Sequence, residues 1–301
     1  MEWILLVAWI PFVLGFLAAV VWMVMRRHGV SLSGRLAALA VVGGLLPVLV
    51  AVWYTATGVM VDLFVLLGPD VFMVLQDARF IAPLVAGILG ILILSIPGRR
   101  PRLVPAADIA RRTAFTFLPR GWVITLAAVT VGTVVVTCAA GLLSTGDDDT
   151  FSFPIGTMTV GTTIYGWHAS APALILLIIL LAAGWTALWL IARPPVADTR
   201  DVDIAARRTR SRNIAAVITG GIAFHLAVIL QSLAGTASLT GTVPSATAGD
   251  ITVHSPFAAL APVLQASSVL ATCVAVAVCL TVTLTAVPEM NRARTSVETA
   301  S

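Results

Sequence analysis

The chain has 301 residues, of which 59% are hydrophobic and only 11% are charged. A soluble domain carries about 25% charged residues, and a soluble fold of this length has too small an interior to hide so much apolar surface. All eighteen strongly basic residues are arginine, which excludes two classes of protein, because a retinal Schiff base and a Walker A nucleotide loop each require a lysine. The composition therefore predicts a protein that is solvated by a lipid bilayer.

Seven apolar stretches are long enough to cross a bilayer, which takes about 20 helical residues. They cover residues 3–25, 36–56, 80–96, 122–143, 172–191, 214–233 and 257–287. We therefore expect an all-α fold, a polytopic membrane helix bundle of about seven transmembrane helices. The whole chain, residues 1–301, is expected to form one transmembrane domain that ends in a tail at 288–301.

The arginines predict how this bundle is oriented. Seventeen of the eighteen lie in the segments that face one side of the membrane, and only Arg79 lies on the other. The positive-inside rule places the arginine-rich side in the cytoplasm, with the N-terminus outside and the C-terminus inside. Glu2 precedes the first stretch and Arg26 and Arg27 follow it, the reverse of a cleaved signal peptide. The arginines have no aromatic interleaving, so the expected partner is the lipid bilayer and not nucleic acid.

The predicted outer segments differ in character. Residues 57–79 are apolar but interrupted by Gly68 and Pro69, so we expect a short interfacial helix or a re-entrant element there. Residues 144–171 and 236–256 are rich in Thr, Gly and Ser, which predicts turns or short strands over the outer face.

The chain also partly repeats itself. Asp108-Ile-Ala-Arg-Arg-Thr113 precedes the fourth apolar stretch, and Asp203-Ile-Ala-Ala-Arg-Arg-Thr209 precedes the sixth. Each is followed by an apolar stretch and then by a Thr- and Gly-rich outer segment that contains a histidine near its end. One interpretation is a parallel repeat of residues 99–191 and 193–287, as many transporters contain. The other is chance similarity in a sequence of low complexity.

The two repeated segments are predicted to be short helices, each with an aspartate near its N-terminal end and arginines three to five residues later. As interfacial helices they would bind anionic headgroups. Alternatively, they dock a cytoplasmic partner, such as an ATPase or another membrane subunit. The partner-docking candidates are Asp108, Arg111, Arg112, Asp203, Arg207 and Arg208.

Polar residues within the last two apolar stretches are candidates for a substrate pathway. His225 lies near the middle of the sixth stretch, where an ionisable side chain is a functional candidate. The alternative is a neutral imidazole bonded to a neighbouring helix. Polar residues of the seventh stretch recur at helical spacing, which indicates either close helix packing or a polar path. The pathway candidates are His225, Ser232, Gln265, Ser268 and Thr272.

Evidence for a metal site or an enzyme is weak. His168 and His254 occupy matching positions at the outer ends of two stretches and, with Met60, Met73 and Met158, are weak candidates for copper. No HxxxH or MxxM spacing fixes a geometry, and the alternative is that both histidines are polar loop residues that cap a helix start. The sequence has no HExxH or GxSG motif and no acidic residue well within a span, so we expect neither enzymatic activity nor a cofactor.

Residues 105–122, PAADIARRTAFTFLPRGW, resemble uncharacterised multi-pass proteins of high-GC Gram-positive bacteria, some of which are thought to act beside ABC-transporter components. The resemblance implies a transport-associated subunit in the bacterial plasma membrane, and no functional residue transfers with it. Three hypotheses follow: a subunit of a transport or export complex energised by a partner, a structural, accessory or sensory membrane protein, and a metal- or redox-handling membrane protein. The third requires His168, His225 and His254 to converge.

Overall fold

The computed structural model describes residues 2–25, 32, 34–59, 68–97, 113–144, 150–155, 158–193, 200–245 and 249–287. Asp108, Arg111, Arg112, Met60 and the predicted tail at 288–301 lie outside the described residues.

The described part of the chain is predominantly helical, with four short strands. In chain order its elements are α1 (Glu2–Met25), α2 (Arg35–Val59), α3 (Pro69–Ala78), α4 (Ala82–Ser95), α5 (Arg120–Leu143), β1 (Thr150–Ile155), β2 (Met158–Thr163), α6 (Trp167–Ala192), α7 (Arg200–Ala237), β3 (Thr240–Ser245), β4 (Gly249–His254), a 3-10 turn (Ala258–Leu260) and α8 (Ala261–Leu284). Helix is the expected form for apolar stretches in lipid, because a helix satisfies its own backbone polar groups.

Six of the described helices, α1, α2 and α5 to α8, are long and apolar enough to cross a membrane. This confirms the expected all-α membrane bundle. The predicted stretch 80–96 is shorter in the structure, where α4 has 14 residues. At about 1.5 Å per residue it is roughly 21 Å long, less than the bilayer's core of about 30 Å. The predicted short helix in 57–79 is present as α3, which a turn at 79–81 separates from α4.

Helix α7 forms the centre of the bundle. In the most apolar 18-residue window of α7, 89% of the residues are buried, whereas the corresponding windows of the other five candidate spans are 17–33% buried. Helices α4, α5, α6 and α8 all pack against α7. Side chains such as Phe16, Val131 and Ile178 stay largely exposed on the outer helices, as expected where a surface faces lipid. With 38 residues, α7 also begins well before the predicted span at 214.

Small residues allow the helices to approach closely. A Cβ on Gly15 of α1 would lie 2.7 Å from the carbonyl oxygen of Cys273, and one on Gly44 of α2 would lie 2.7 Å from that of Cys279. Both carbonyls belong to α8, so α1 and α2 pack separately against this helix. Close backbone approach through small residues is how membrane helices gain packing energy without a hydrophobic driving force.

One end of the bundle is held together by arginines of α7. Arg210 Nη2 donates to the carbonyl oxygens of Leu94 and Ile96, each at 3.3 Å, at the C-terminal end of α4. The guanidinium of Arg212 stacks over Trp22 of α1, 5.7 Å from the ring centroid. The last carbonyls of a helix have no partner within the helix, so an arginine from a neighbour satisfies them.

The opposite end carries the two β-hairpins. Strands β1 and β2 pair antiparallel from Thr150–Thr163 to Ile155–Met158, and β3 and β4 from Thr240–His254 to Ser245–Gly249. The rings of Phe151 and Phe257 meet edge to face at 4.9 Å, which joins the first hairpin to the segment before α8. Short strands in the two Thr- and Gly-rich segments confirm the prediction for these regions.

Candidate functional site

A cavity of about 830 Å³ lies at the hairpin end of the bundle. It is lined by helices α1, α2, α7 and α8, by the adjoining ends of α3 and α4 with the turn between them, and by strand β2. Its lining residues are Ala8, Pro11, Phe12, Ala51, Tyr54, Thr55, Gln76, Arg79, Pro83, Thr162, Thr163, Phe224, Ala227, Val228, Gln231, Ser232, Gly235, Thr236, Gln265, Ser268, Val269 and Thr272. This volume is within the usual range of small-molecule sites, about 300–1,000 Å³.

Four of the five predicted pathway residues line this cavity. Ser232 lies on α7, and Gln265, Ser268 and Thr272 lie on the face of α8 that meets α7. The Ser268 hydroxyl donates to the Ala227 carbonyl oxygen at 2.8 Å, and Thr272 donates to the Ser268 carbonyl oxygen at 3.0 Å. Ser268 therefore also joins α7 to α8, while the amide of Gln265 is exposed.

Arg79 is the cationic side chain of the cavity lining. Its Nη1 donates to Gln76 Oε1 at 3.1 Å, and its guanidinium lies 4.6 Å from the centroid of the Phe80 ring. Burial lowers the pKa of Arg79, and the nearby charge of Asp77 acts in the opposite direction. An arginine stays protonated in proteins, so the cavity holds a positive charge. Among the described lining residues none is acidic.

His225, the fifth candidate, is 1% exposed and does not line the cavity. Its Nδ1 lies 2.7 Å from the Phe80 carbonyl oxygen, just before α4. A carbonyl oxygen only accepts, so the imidazole carries its proton on Nδ1 and donates it. The Tyr165 ring packs edge to face against His225 at 6.1 Å and against Phe80 at 4.9 Å. Burial raises the pKa of the Tyr165 phenol to about 12, against the weaker opposite effect of Ser170 and Thr137.

This arrangement predicts a structural effect of changing His225. His225→Phe leaves the Phe80 carbonyl without its donor inside the bundle, which is expected to lower the free energy of unfolding by about 1–3 kcal/mol. His225→Asn places an amide donor near the position of Nδ1 and should lose less. Thermal unfolding of both variants in a mild detergent measures the difference. Equal stability of the His225→Phe variant and the unmodified protein would contradict the bond's structural role.

The structure corrects part of the docking prediction. Arg207 Nε donates to Asp203 Oδ2 at 2.7 Å, and Arg207 Nη1 donates to the carbonyl oxygens of Ile191 and Ala192, both at 2.8 Å. Arg207 is 0% and Asp203 7% exposed, so neither is available to a partner and the prediction is wrong for these two residues. The pair instead closes the C-terminal end of α6. Arg208 is exposed and stays a docking candidate.

Helix α7 begins at Arg200, so the second repeated segment, residues 203–209, is part of one long helix and not a separate short one. The same order of elements, helix, hairpin and helix, occurs in α5 to α6 and in α7 to α8. The parallel repeat therefore stays a prediction whose two halves have matching elements.

The histidines do not form a shared site. His168, in the first turn of α6, and His254, at the end of β4, are exposed, whereas His225 is buried against Phe80. All three belong to the described part of the chain, where no group of three His, Cys, Asp or Glu side chains is placed to hold a metal ion. The hypothesis that these imidazoles converge on one metal is wrong.

Several lining residues were not singled out from the sequence. Gln231 adjoins Ser232 in the same apolar stretch, and a polar amide at that depth was a usable signal. Arg79 was recognised only as the exception to the arginine distribution. Gln76 and Thr162 come from a short helix and a hairpin, and no periodicity in the sequence connects these elements to α7.

Comparison of the chain with protein-family models, with curated proteins and with solved structures finds no match.

Proposed function

We propose that this chain is a membrane-embedded subunit of a bacterial transport or export complex, and that a partner protein supplies the energy. The supporting observation is the cavity of about 830 Å³, lined by the polar face that α7 and α8 share. Amides such as Gln231 and Gln265 are costly inside a membrane bundle unless they pack against a partner or line an aqueous path. An exposed polar face on a cavity fits a substrate path better than it fits helix packing alone.

The proposed arrangement in the bacterial plasma membrane has seven crossings, with the N-terminus outside. The arginine distribution supports this orientation, because Arg207, Arg210 and Arg212 lie at one end of the bundle and the hairpins at the other. Helix α4 would provide the short third crossing. Arg210 donates to the carbonyl oxygens of Leu94 and Ile96 at the end of α4. These bonds support a path in which α4 carries the chain from α3 back to the arginine-rich side of the membrane.

The partner is inferred from what the sequence lacks. The chain has no lysine and hence no Walker A loop of its own, so a nucleotide-driven cycle requires a second protein. Arg208, exposed near the start of α7, is the described residue proposed to contact it. The matching element order of α5 to α6 and α7 to α8 adds support, since transporters commonly contain such repeats.

The experiment purifies the tagged chain from its own host's membranes in a mild detergent and measures ATPase activity in the copurified material. We expect an ATPase to copurify in a stoichiometric amount. Its basal ATPase activity should rise when a lipid extract of the host, as a source of substrate, is added. Thr272→Trp places a large ring in the cavity and should abolish the stimulation while leaving the complex assembled. Ile178→Trp is the matched control, because Ile178 is 68% exposed on the lipid-facing side of α6.

A lone chain that purifies without an ATPase would overturn the proposal. Equal stimulation of the Thr272→Trp and Ile178→Trp complexes would show that the cavity is not on the substrate's path. That second result would favour the structural or accessory alternative. One observation already supports this alternative, because the cavity does not reach His225, which is bonded to the Phe80 carbonyl.

A further inference from the structure

We propose that the cavity binds an amphiphile with a single anionic headgroup, a phosphate or a carboxylate, at Arg79 and an acyl chain along the wall formed by α1 and α7. This inference rests on the proposed function, since it names the class of substrate that the cavity would accept. Three features of the lining support it: a cation with no acidic residue among the described lining residues, a set of apolar side chains and a set of neutral polar groups.

The charge is the first feature. Arg79 lies in the turn between α3 and α4, where the residue as a whole is exposed but its guanidinium is held from two sides, by Gln76 Oε1 and by the Phe80 ring. Asp77 is close in sequence and its charge acts on Arg79, but Asp77 does not line the cavity. An arginine presents five donors in a planar fork, which matches phosphate and carboxylate oxygens. A partly desolvated arginine facing a cavity with no acidic lining residue among those described therefore favours an anion.

The apolar wall is the second feature. Apolar side chains of three helices line the cavity: Pro11 and Phe12 of α1, Phe224 and Val228 of α7, and Val269 of α8. A small polar anion would leave this wall in contact with water. Burying an acyl chain there contributes about 0.8 kcal/mol for each methylene group. The wall and the cation together select an amphiphile over a free inorganic anion.

The polar groups are the third feature. Gln231 and Gln265 are exposed amides, and the hydroxyl groups of Thr162 and Thr163 come from strand β2. Amides and hydroxyls both donate and accept, so they suit the ester and hydroxyl groups that join a headgroup to its chain. They carry no charge that would neutralise Arg79.

The test measures binding of fluorescent lysophosphatidic acid and lysophosphatidylcholine, with the same acyl chain, to the purified full chain in dodecyl maltoside. Arg79→Gln removes the cation, and Arg35→Gln is the matched control, because it removes one charge from an exposed site at the start of α2, away from the cavity. We expect the Arg79→Gln variant to bind lysophosphatidic acid about tenfold or more weakly than the unmodified protein, consistent with loss of a charge-assisted contact. The Arg35→Gln variant should bind as the unmodified protein does. Unchanged thermal unfolding confirms that both variants are folded.

Glycerol 3-phosphate separates an amphiphile from a free anion. Millimolar glycerol 3-phosphate should not displace lysophosphatidic acid. Displacement by glycerol 3-phosphate at these concentrations would overturn the proposal of an amphiphilic ligand in favour of a soluble anion. Equal affinity for the two lysolipids, or equal binding by the Arg79→Gln and Arg35→Gln variants, would overturn the proposal of an anionic headgroup. The proposed function would be unaffected, because it is tested by the copurified ATPase and its stimulation. Conversely, selective binding without any ATPase partner would support the ligand class and contradict the proposed function.

Discussion

Replacing Arg207 by leucine is expected to lower the free energy of unfolding by about 3–5 kcal/mol, the range seen when one partner of a buried ion pair is removed. The substitution would leave the Asp203 carboxylate buried without its counter-ion. It would also remove the Nη1 donor shared by the carbonyl oxygens of Ile191 and Ala192. These carbonyls belong to the last turn of α6, where no intrahelical donor is available.

The matched control is Arg208→Leu, since Arg208 is the next residue of α7 and is exposed. Its substitution should change stability by less than about 0.5 kcal/mol, as is usual for surface positions. Thermal unfolding in detergent, followed by circular dichroism, measures both variants. Similar losses in the Arg207→Leu and Arg208→Leu variants would contradict the burial of this ion pair.

A double variant separates the ion pair from the helix cap. Asp203→Leu with Arg207→Leu removes both charges, so it should recover the part of the loss that comes from separating the Asp203 carboxylate from its arginine. The loss of unfolding free energy that remains measures the contribution of the two hydrogen bonds from Arg207 to the carbonyl oxygens of α6. No recovery would indicate that the carbonyl bonds account for the whole effect.

The sequence predicted the membrane bundle well because hydropathy over about 20 residues is a local property. It did less well at the beginning of α7, where hydropathy stops near Asn213 but the helix extends back to Arg200. The reason is tertiary: Arg207 and Arg210 lie among the ends of α6 and α4, and their charges are satisfied there. Hydropathy cannot distinguish an arginine that caps a neighbouring helix from one in a solvated loop.

The site was predictable to a similar extent. Helical spacing brought Gln265, Ser268 and Thr272 to one face, and the structure places this face on the cavity. The depth of His225 within its apolar stretch made it a further candidate, yet its neighbour is the carbonyl of Phe80, 145 positions away. Spacing along one helix identifies which residues share a face but not what that face meets. Arg79 enters the cavity through a turn, which has no periodicity to read.

The second large effect is expected at Gly44 of α2. An alanine in a helix interior is favoured over glycine by about 1 kcal/mol, so Gly→Ala normally stabilises a helix or leaves it unchanged. At Gly44, however, the added Cβ would lie 2.7 Å from the Cys279 carbonyl oxygen and 3.0 Å from Val282 Cβ. A backbone carbonyl within a helix cannot move aside as a flexible side chain does. Gly44→Ala should therefore force α2 away from α8 and lower the free energy of unfolding by about 1–3 kcal/mol.

Gly132 of α5 provides the opposite case, since a Cβ there meets nothing within 4 Å. Gly132→Ala should leave stability unchanged or raise it, so the same chemical change is expected to have opposite signs at the two sites. Gly15→Ala in α1 should behave like Gly44→Ala, because its Cβ would lie 2.7 Å from the Cys273 carbonyl oxygen. Thermal unfolding of the three variants in detergent tests the set. A stabilised Gly44→Ala variant would mean that α2 does not pack this closely on α8. Helix α2 would then not hold Ala51, Tyr54 and Thr55 in the cavity lining.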